Sequence, residues 1–220
     1  MRRVIEVGGV NDDLLDRLAA GATPVRRVDQ RQFLALVGIA CLLSALTILL
    51  FIGPRADLGA VLMAPVFLWK LGAMMLVAAV ALPMLVAVGR PGAPPARIGR
   101  VVLATLATLG LPLVYAVTTQ PVAESMRGLE ATRGLACLGW TIIACVPVWL
   151  ASLVWLRTAA PTNHARASWA AGLASAAVGA SFFVLHCPYD DVVYVAVWYG
   201  AAIAGIAVVT RLVMPRLIHW

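Results

Sequence analysis

Six apolar runs of about twenty residues, near 33–52, 65–88, 101–118, 137–156, 168–186 and 194–213, dominate the chain. Wound as an α-helix at ~1.5 Å per residue, each is long enough to cross the ~30 Å hydrocarbon core of a bilayer. Lipid offers no hydrogen-bond partners, so a segment inside it must satisfy its own backbone, which a helix does and an isolated strand does not. The pattern predicts an all-α polytopic membrane protein with six transmembrane helices in three hairpins, 1–2, 3–4 and 5–6. Charged residues make up 12% of the chain, about half the share in soluble domains.

The formal net charge of +7 invites a nucleic-acid reading, but its distribution argues against one. Thirteen Arg lie in the tail, the 89–100 and 157–167 loops and the C-terminal segment. The alternate loops hold Arg55, Lys70, Arg127 and Arg133 only, together with every acid outside the tail: Asp57, Glu124, Glu130, Asp190 and Asp191. By the positive-inside rule both termini are cytoplasmic, which requires an even number of spans. The basic residues are thus a topology signal split among loops, and no direct nucleic-acid contact is expected. The first span would act as an uncleaved signal, since no cleavable leader is evident. Lys70, near an end of the second run, is expected to snorkel to the headgroups.

Residues 1–32 form a polar tail, distinct from the membrane domain at 33–220. Asn11 to Gly21 reads as a short helix: Asn11 suits the N-cap, Asp12 and Asp13 the positive end of the dipole, and Gly21 the position after the last turn. Leu14, Leu15 and Leu18 share one face. So short a helix is marginal alone and is expected to fold by docking.

Chemistry-bearing residues are few. Of four cysteines, Cys41 and Cys145 fall within runs and read as packing residues. Cys137 begins the fourth run and Cys187 follows the fifth, so both are expected at the outer face at matching depth. Such a pair is open to four readings: buried apolar packing, a structural bridge, a redox switch or a soft-metal site. His186 adds a candidate imidazole ligand, although a lone His at a boundary is more often simply hydrogen-bonded; Asp190 and Asp191 add exposed carboxylates. Tyr189, Tyr194, Trp198 and Tyr199 read as an interfacial aromatic belt. Gly172, Ala176 and Ala180, and likewise Gly200 and Ala204, recur every four positions and suit close helix packing. There is no phosphate loop, no metalloprotease motif and no triad, so neither enzymatic activity nor a cofactor is expected. A six-helix carrier or thiol-redox membrane enzyme remains the competing class.

The segment His186-Cys187-Pro188, two acids, then Val195-Ala196-Val197-Trp198-Tyr199-Gly200 resembles the C-terminal signature of the NrsF family, six-helix membrane anti-sigma factors of bacteria. Asp12-Asp13-Leu14-Leu15, Pro24-Val25-Arg26-Arg27, the Asp57–Lys70 hairpin and Gly134–Trp140 with Cys137 extend the likeness over nearly the whole chain. The resemblance implies an inner-membrane protein whose cytoplasmic tail holds an extracytoplasmic-function sigma factor inactive until stress relieves the hold. It implies that Cys137 and Cys187 are sensor thiols, answering oxidant or thiol-reactive metal. Asp12, Asp13, Leu14, Leu15 and Leu18 then become the sigma-binding residues, the leucines as groove anchors and the acids as partners for Arg. The His-x-x-x-Cys-x-x-Cys zinc domain of other anti-sigma factors is absent.

Overall fold

The computed structural model describes residues 20–21, 30–89, 97–127, 129–159 and 161–218. The tail residues Asp12, Asp13, Leu14, Leu15 and Leu18 lie outside the described residues. The described residues contain helices and no strand. Among the described residues there are six long helices: α1 (Gln30–Phe51), α2 (Pro65–Val88), α3, α4 (Ala131–Ala159), α5 (His164–Phe183) and α6 (Val192–Leu217). Helix α3 runs through Arg97–Thr105, a π-helical turn at Leu106–Gly110, and Leu111–Thr119. A short helix at Val122–Arg127 sits in the loop between α3 and α4.

Local chemistry sets several boundaries. Pro65 opens α2 at a position where a missing N–H costs nothing. The Asn163 side chain caps α5 by accepting from the Arg166 N–H at 2.9 Å. Asp191 caps α6 by accepting from the Tyr194 N–H at 2.8 Å. Pro112 cannot donate to the carbonyl four residues earlier, that of Thr108. The Trp69 indole N–H donates to that carbonyl at 3.2 Å instead, tying α3 to α2 beside the π-turn.

Helix α5 is the centre. It packs along α2, α4 and α6, while α1 lies mainly on α4 and α3 on α2. Of the three expected hairpins, only α5 with α6 is a closely packed pair; α1 does not pack along α2, nor α3 along α4. Fourteen of the 20 residues of α5 are buried, and they are mostly Ala, Gly and Ser. Small side chains let backbones approach. A Cβ on Gly172 would stand 2.7 Å from Ala207 Cα, and one on Gly179 would stand 2.8 Å from the Cys145 backbone nitrogen. Gly172 was legible as a packing residue; Gly200 and Ala204 were not packing residues, since Ala204 is exposed and the nearest atom to a Gly200 Cβ is 4.0 Å away.

Among the described residues, five helices are long and apolar enough to cross a membrane: Arg31–Phe51, Pro65–Val88, Gly99–Thr119, Ala131–Ala159 and Val192–Leu217. Helix α5 is not among them. Its physical situation explains this: a helix enclosed by other helices needs small residues for packing rather than bulky apolar ones for lipid. The outward faces of the rest are apolar, with Leu43, Leu50, Leu103, Leu150 and Leu212 all exposed.

Candidate functional site

The turns joining α1 to α2, α3 to α4 and α5 to α6 gather at one end of the bundle. The segment after α5, residues 184–191, crosses this end and carries His186, Cys187 and Asp190. Helix α4 starts at Ala131, about two turns before Cys137, so Cys137 lies within the helix rather than at its start. Cys137 and Cys187 are both buried, and both are free thiols. The two thiols lie close enough to interact. Both line a pocket of about 480 Å³, together with Arg133, Trp140, His186 and Tyr189.

Its interaction with Cys137 holds the Cys187 thiol below its ordinary value, against the opposing effect of burial. The positive charge of Lys70 and the Tyr199 hydroxyl add to the lowering. Tyr199 is buried to 0% exposure, and its hydroxyl lacks a well-formed hydrogen bond elsewhere. It therefore belongs to the interior beside the thiols rather than to an interfacial belt. Tyr189 and Tyr194 pair with ring centroids 4.9 Å apart, and the Arg133 guanidinium lies 5.2 Å from the Tyr189 ring.

A charge network missed by sequence reasoning holds the crossing segment. Lys70 does not snorkel: it is 0% exposed. Its ammonium has three donors and no acceptor. They reach the carbonyls of Cys187 and Tyr189, each at 2.9 Å, and Asp190 Oδ1 at 3.3 Å. Arg55, also buried, donates from Nη1 to Asp190 Oδ2 at 2.8 Å. It grips Asp57 with two parallel bonds, from Nε at 2.7 Å and Nη2 at 2.9 Å. The Asp57 pair keeps Arg55 firmly protonated, above its ordinary value despite burial, with Asp190 adding to the effect. The same pair lowers the Asp57 carboxyl. Two cations and two carboxylates thus balance. The usable signal was a single Lys in an apolar run of a chain whose other basic residues are all Arg.

Asp190 is consequently engaged rather than a free surface carboxylate, and Asp191 serves as a cap. His186 turns Nδ1 to the Gly53 carbonyl at 2.8 Å. Gly53 adopts φ +74°, the left-handed turn that glycine permits. Cys137, Cys187 and His186 share a pocket but do not form a metal-holding group: among the described residues no set of three or more His, Cys, Asp or Glu is so arranged. Cys145 is buried against Gly179, while Cys41 is half-buried.

No solved structure matches the chain. Two relatives align over nearly their full length. The "Probable anti-sigma-F factor NrsF" of Azospira oryzae is 32% identical over 214 residues, 95% of this chain and 99% of its own. The "Anti-sigma-F factor NrsF" of Caulobacter vibrioides is 30% identical over 216 residues, with the same coverage of both. The family described as NrsF, negative regulator of sigma F, matches residues 18–220. With a match that takes in all six helices and the loop bearing Cys187, the chain belongs to the NrsF family of negative regulators of sigma F.

Proposed function

We propose that this chain is a membrane-embedded anti-sigma factor of the bacterial inner membrane, crossing it six times with both termini in the cytoplasm. Its tail, residues 1–32, sequesters an extracytoplasmic-function sigma factor through Leu14, Leu15 and Leu18, with Asp12 and Asp13 pairing to Arg on the partner. Oxidant or a thiol-reactive metal at Cys137 and Cys187 releases it. The observation that carries the reading is the buried contact of two free thiols at the bundle end whose loops are poor in Arg. The relatives' names support the anti-sigma part. A thiol held below its ordinary value ionises more readily to the thiolate, the form that reacts with oxidants and soft metals. A carrier would use charges within its spans. Lys70 is such a charge, but its donors are spent on the crossing segment rather than left for a solute.

The test is co-purification of the full chain with a sigma factor encoded beside its gene. Leu14→Ala/Leu18→Ala should cut capture by about tenfold or more, as loss of two anchor side chains implies. Unchanged capture by that variant removes the tail from the mechanism. For sensing, Cys137→Ser should hold the sigma factor through hydrogen peroxide treatment that frees it from wild type; release at the wild-type dose removes the thiol assignment.

A further inference from the structure

The segment carrying Cys187 is fastened to the turn that follows α1. The Arg55 N–H donates to the Leu185 carbonyl at 3.0 Å, and His186 Nδ1 bonds the Gly53 carbonyl at 2.8 Å. Arg55 Nη1 reaches Asp190 at 2.8 Å and the Cys187 carbonyl at 3.4 Å. Lys70 on α2 takes the Cys187 carbonyl from a second direction. Helix α4, which carries Cys137, contributes none of these bonds. The two thiols therefore meet where the crossing segment faces α4, while the bonds that hold the Cys187 backbone come from α2 and the turn after α1.

We propose that Arg55, Lys70 and Asp190 form a latch that holds the Cys187 segment on the exit of α1, and that a bond between Cys137 and Cys187 opens it. This deepens the sensing reading above and rests on it. With a hydroperoxide as oxidant, the Cys187 thiolate attacks the O–O bond and becomes a sulfenic acid; the alkoxide leaves and takes from solvent the proton that Cys187 had given up, forming the alcohol. The Cys137 thiol then attacks that sulfur, the S–S bond forms, and hydroxide departs with the Cys137 proton as water. Two thiols lose two electrons and the hydroperoxide gains them.

Bringing two free thiols of one pocket to an S–S bond of about 2.05 Å draws residue 187 toward α4. The same residue's carbonyl is the acceptor for both Lys70 and Arg55. Hydrogen bonds weaken steeply once stretched beyond about 3.2–3.5 Å, so the pull is taken out of the latch. Asp190 lies three residues along the same short segment and loses its register with both cations. The far side of the latch is Gly53 to Asp57, directly after α1 ends at Phe51. Helix α1 begins at Gln30, where the tail joins it. Latched and unlatched arrangements of one ion-paired segment supply the two-state element that coupling between distant sites requires.

The test is amide hydrogen exchange on the full chain in lipid nanodiscs, reduced and after hydrogen peroxide, with thiol state read by mass spectrometry. Oxidation should speed exchange at residues 53–57, including the Arg55 amide bonded to Leu185, by about tenfold, and Cys137→Ser should abolish the change. Asp190→Asn, which removes the charge and keeps the shape, should reach the same fast exchange without oxidant and release the sigma factor constitutively. Peroxide that leaves both thiols free sinks the sensing reading. An S–S bond that forms while residues 53–57 keep their protection sinks the latch alone. If Asp190→Asn does not fold, the wild-type exchange comparison decides.

Discussion

Lys70→Met is the sharpest perturbation of this structure. Methionine fits the volume of the buried stem but brings no donor. Three charge-assisted hydrogen bonds disappear, to the carbonyls of Cys187 and Tyr189 and to Asp190. Each such bond contributes about 1.5–3 kcal/mol net, while the ammonium's own desolvation cost is relieved. Removing one partner of a buried ion pair costs about 3–5 kcal/mol, because the other charge is stranded. Here Asp190 is 28% exposed at its side chain and keeps Arg55. Both features place the loss at the low end, about 3 kcal/mol, or on the order of a hundredfold in the folded-to-unfolded ratio. Equilibrium unfolding in mixed micelles, followed by circular dichroism, measures it. A Lys70 that reached the headgroups would give the opposite result, since deleting a snorkelled charge from an apolar helix costs nothing. Unfolding of Lys70→Met at or above the wild-type denaturant concentration therefore refutes the buried network.

Two further outcomes follow from the same geometry. Gly179→Ala places a methyl 2.8–2.9 Å from Cys145 backbone and should cost about 1–3 kcal/mol in the same unfolding assay, whereas Gly205→Ala, with nothing within 4 Å, should be neutral or slightly stabilising. Iodoacetamide labelling of Cys187, read by mass spectrometry, should level off at a lower pH than labelling of a free cysteine, because its thiol is held below the ordinary value; a rate still climbing through about pH 8.5 contradicts the lowered thiol, and Lys70→Met should move the rise to higher pH.

The candidate site was half legible. The approach of Cys137 and Cys187 could be argued from positions of similar depth in successive runs, although Cys137 lies inside α4 and not at its end. The partners of Lys70 could not, because Asp190 lies 120 positions from it and the two meet only when the crossing segment folds over α2. Tyr199 shows the same limit. Its place in the first turns of α6 suggested an interfacial ring, yet rotation of the helix turned it fully inward. The hairpin scheme failed for a related reason: short loops join neighbours in sequence, but side-chain size decides which faces pack.

Run length, apolar content and the asymmetry of Arg among loops sufficed for the all-helical class and for helices able to cross a bilayer, since solvent sees those quantities before any tertiary contact forms. The order of helices in space needed the folded bundle. Hydropathy ranks α5 as the weakest span, and packing makes it the centre, because a helix with no lipid to face is selected for closeness and not for grease. Likewise a lone buried ammonium acquires a meaning only from the oxygens brought to it.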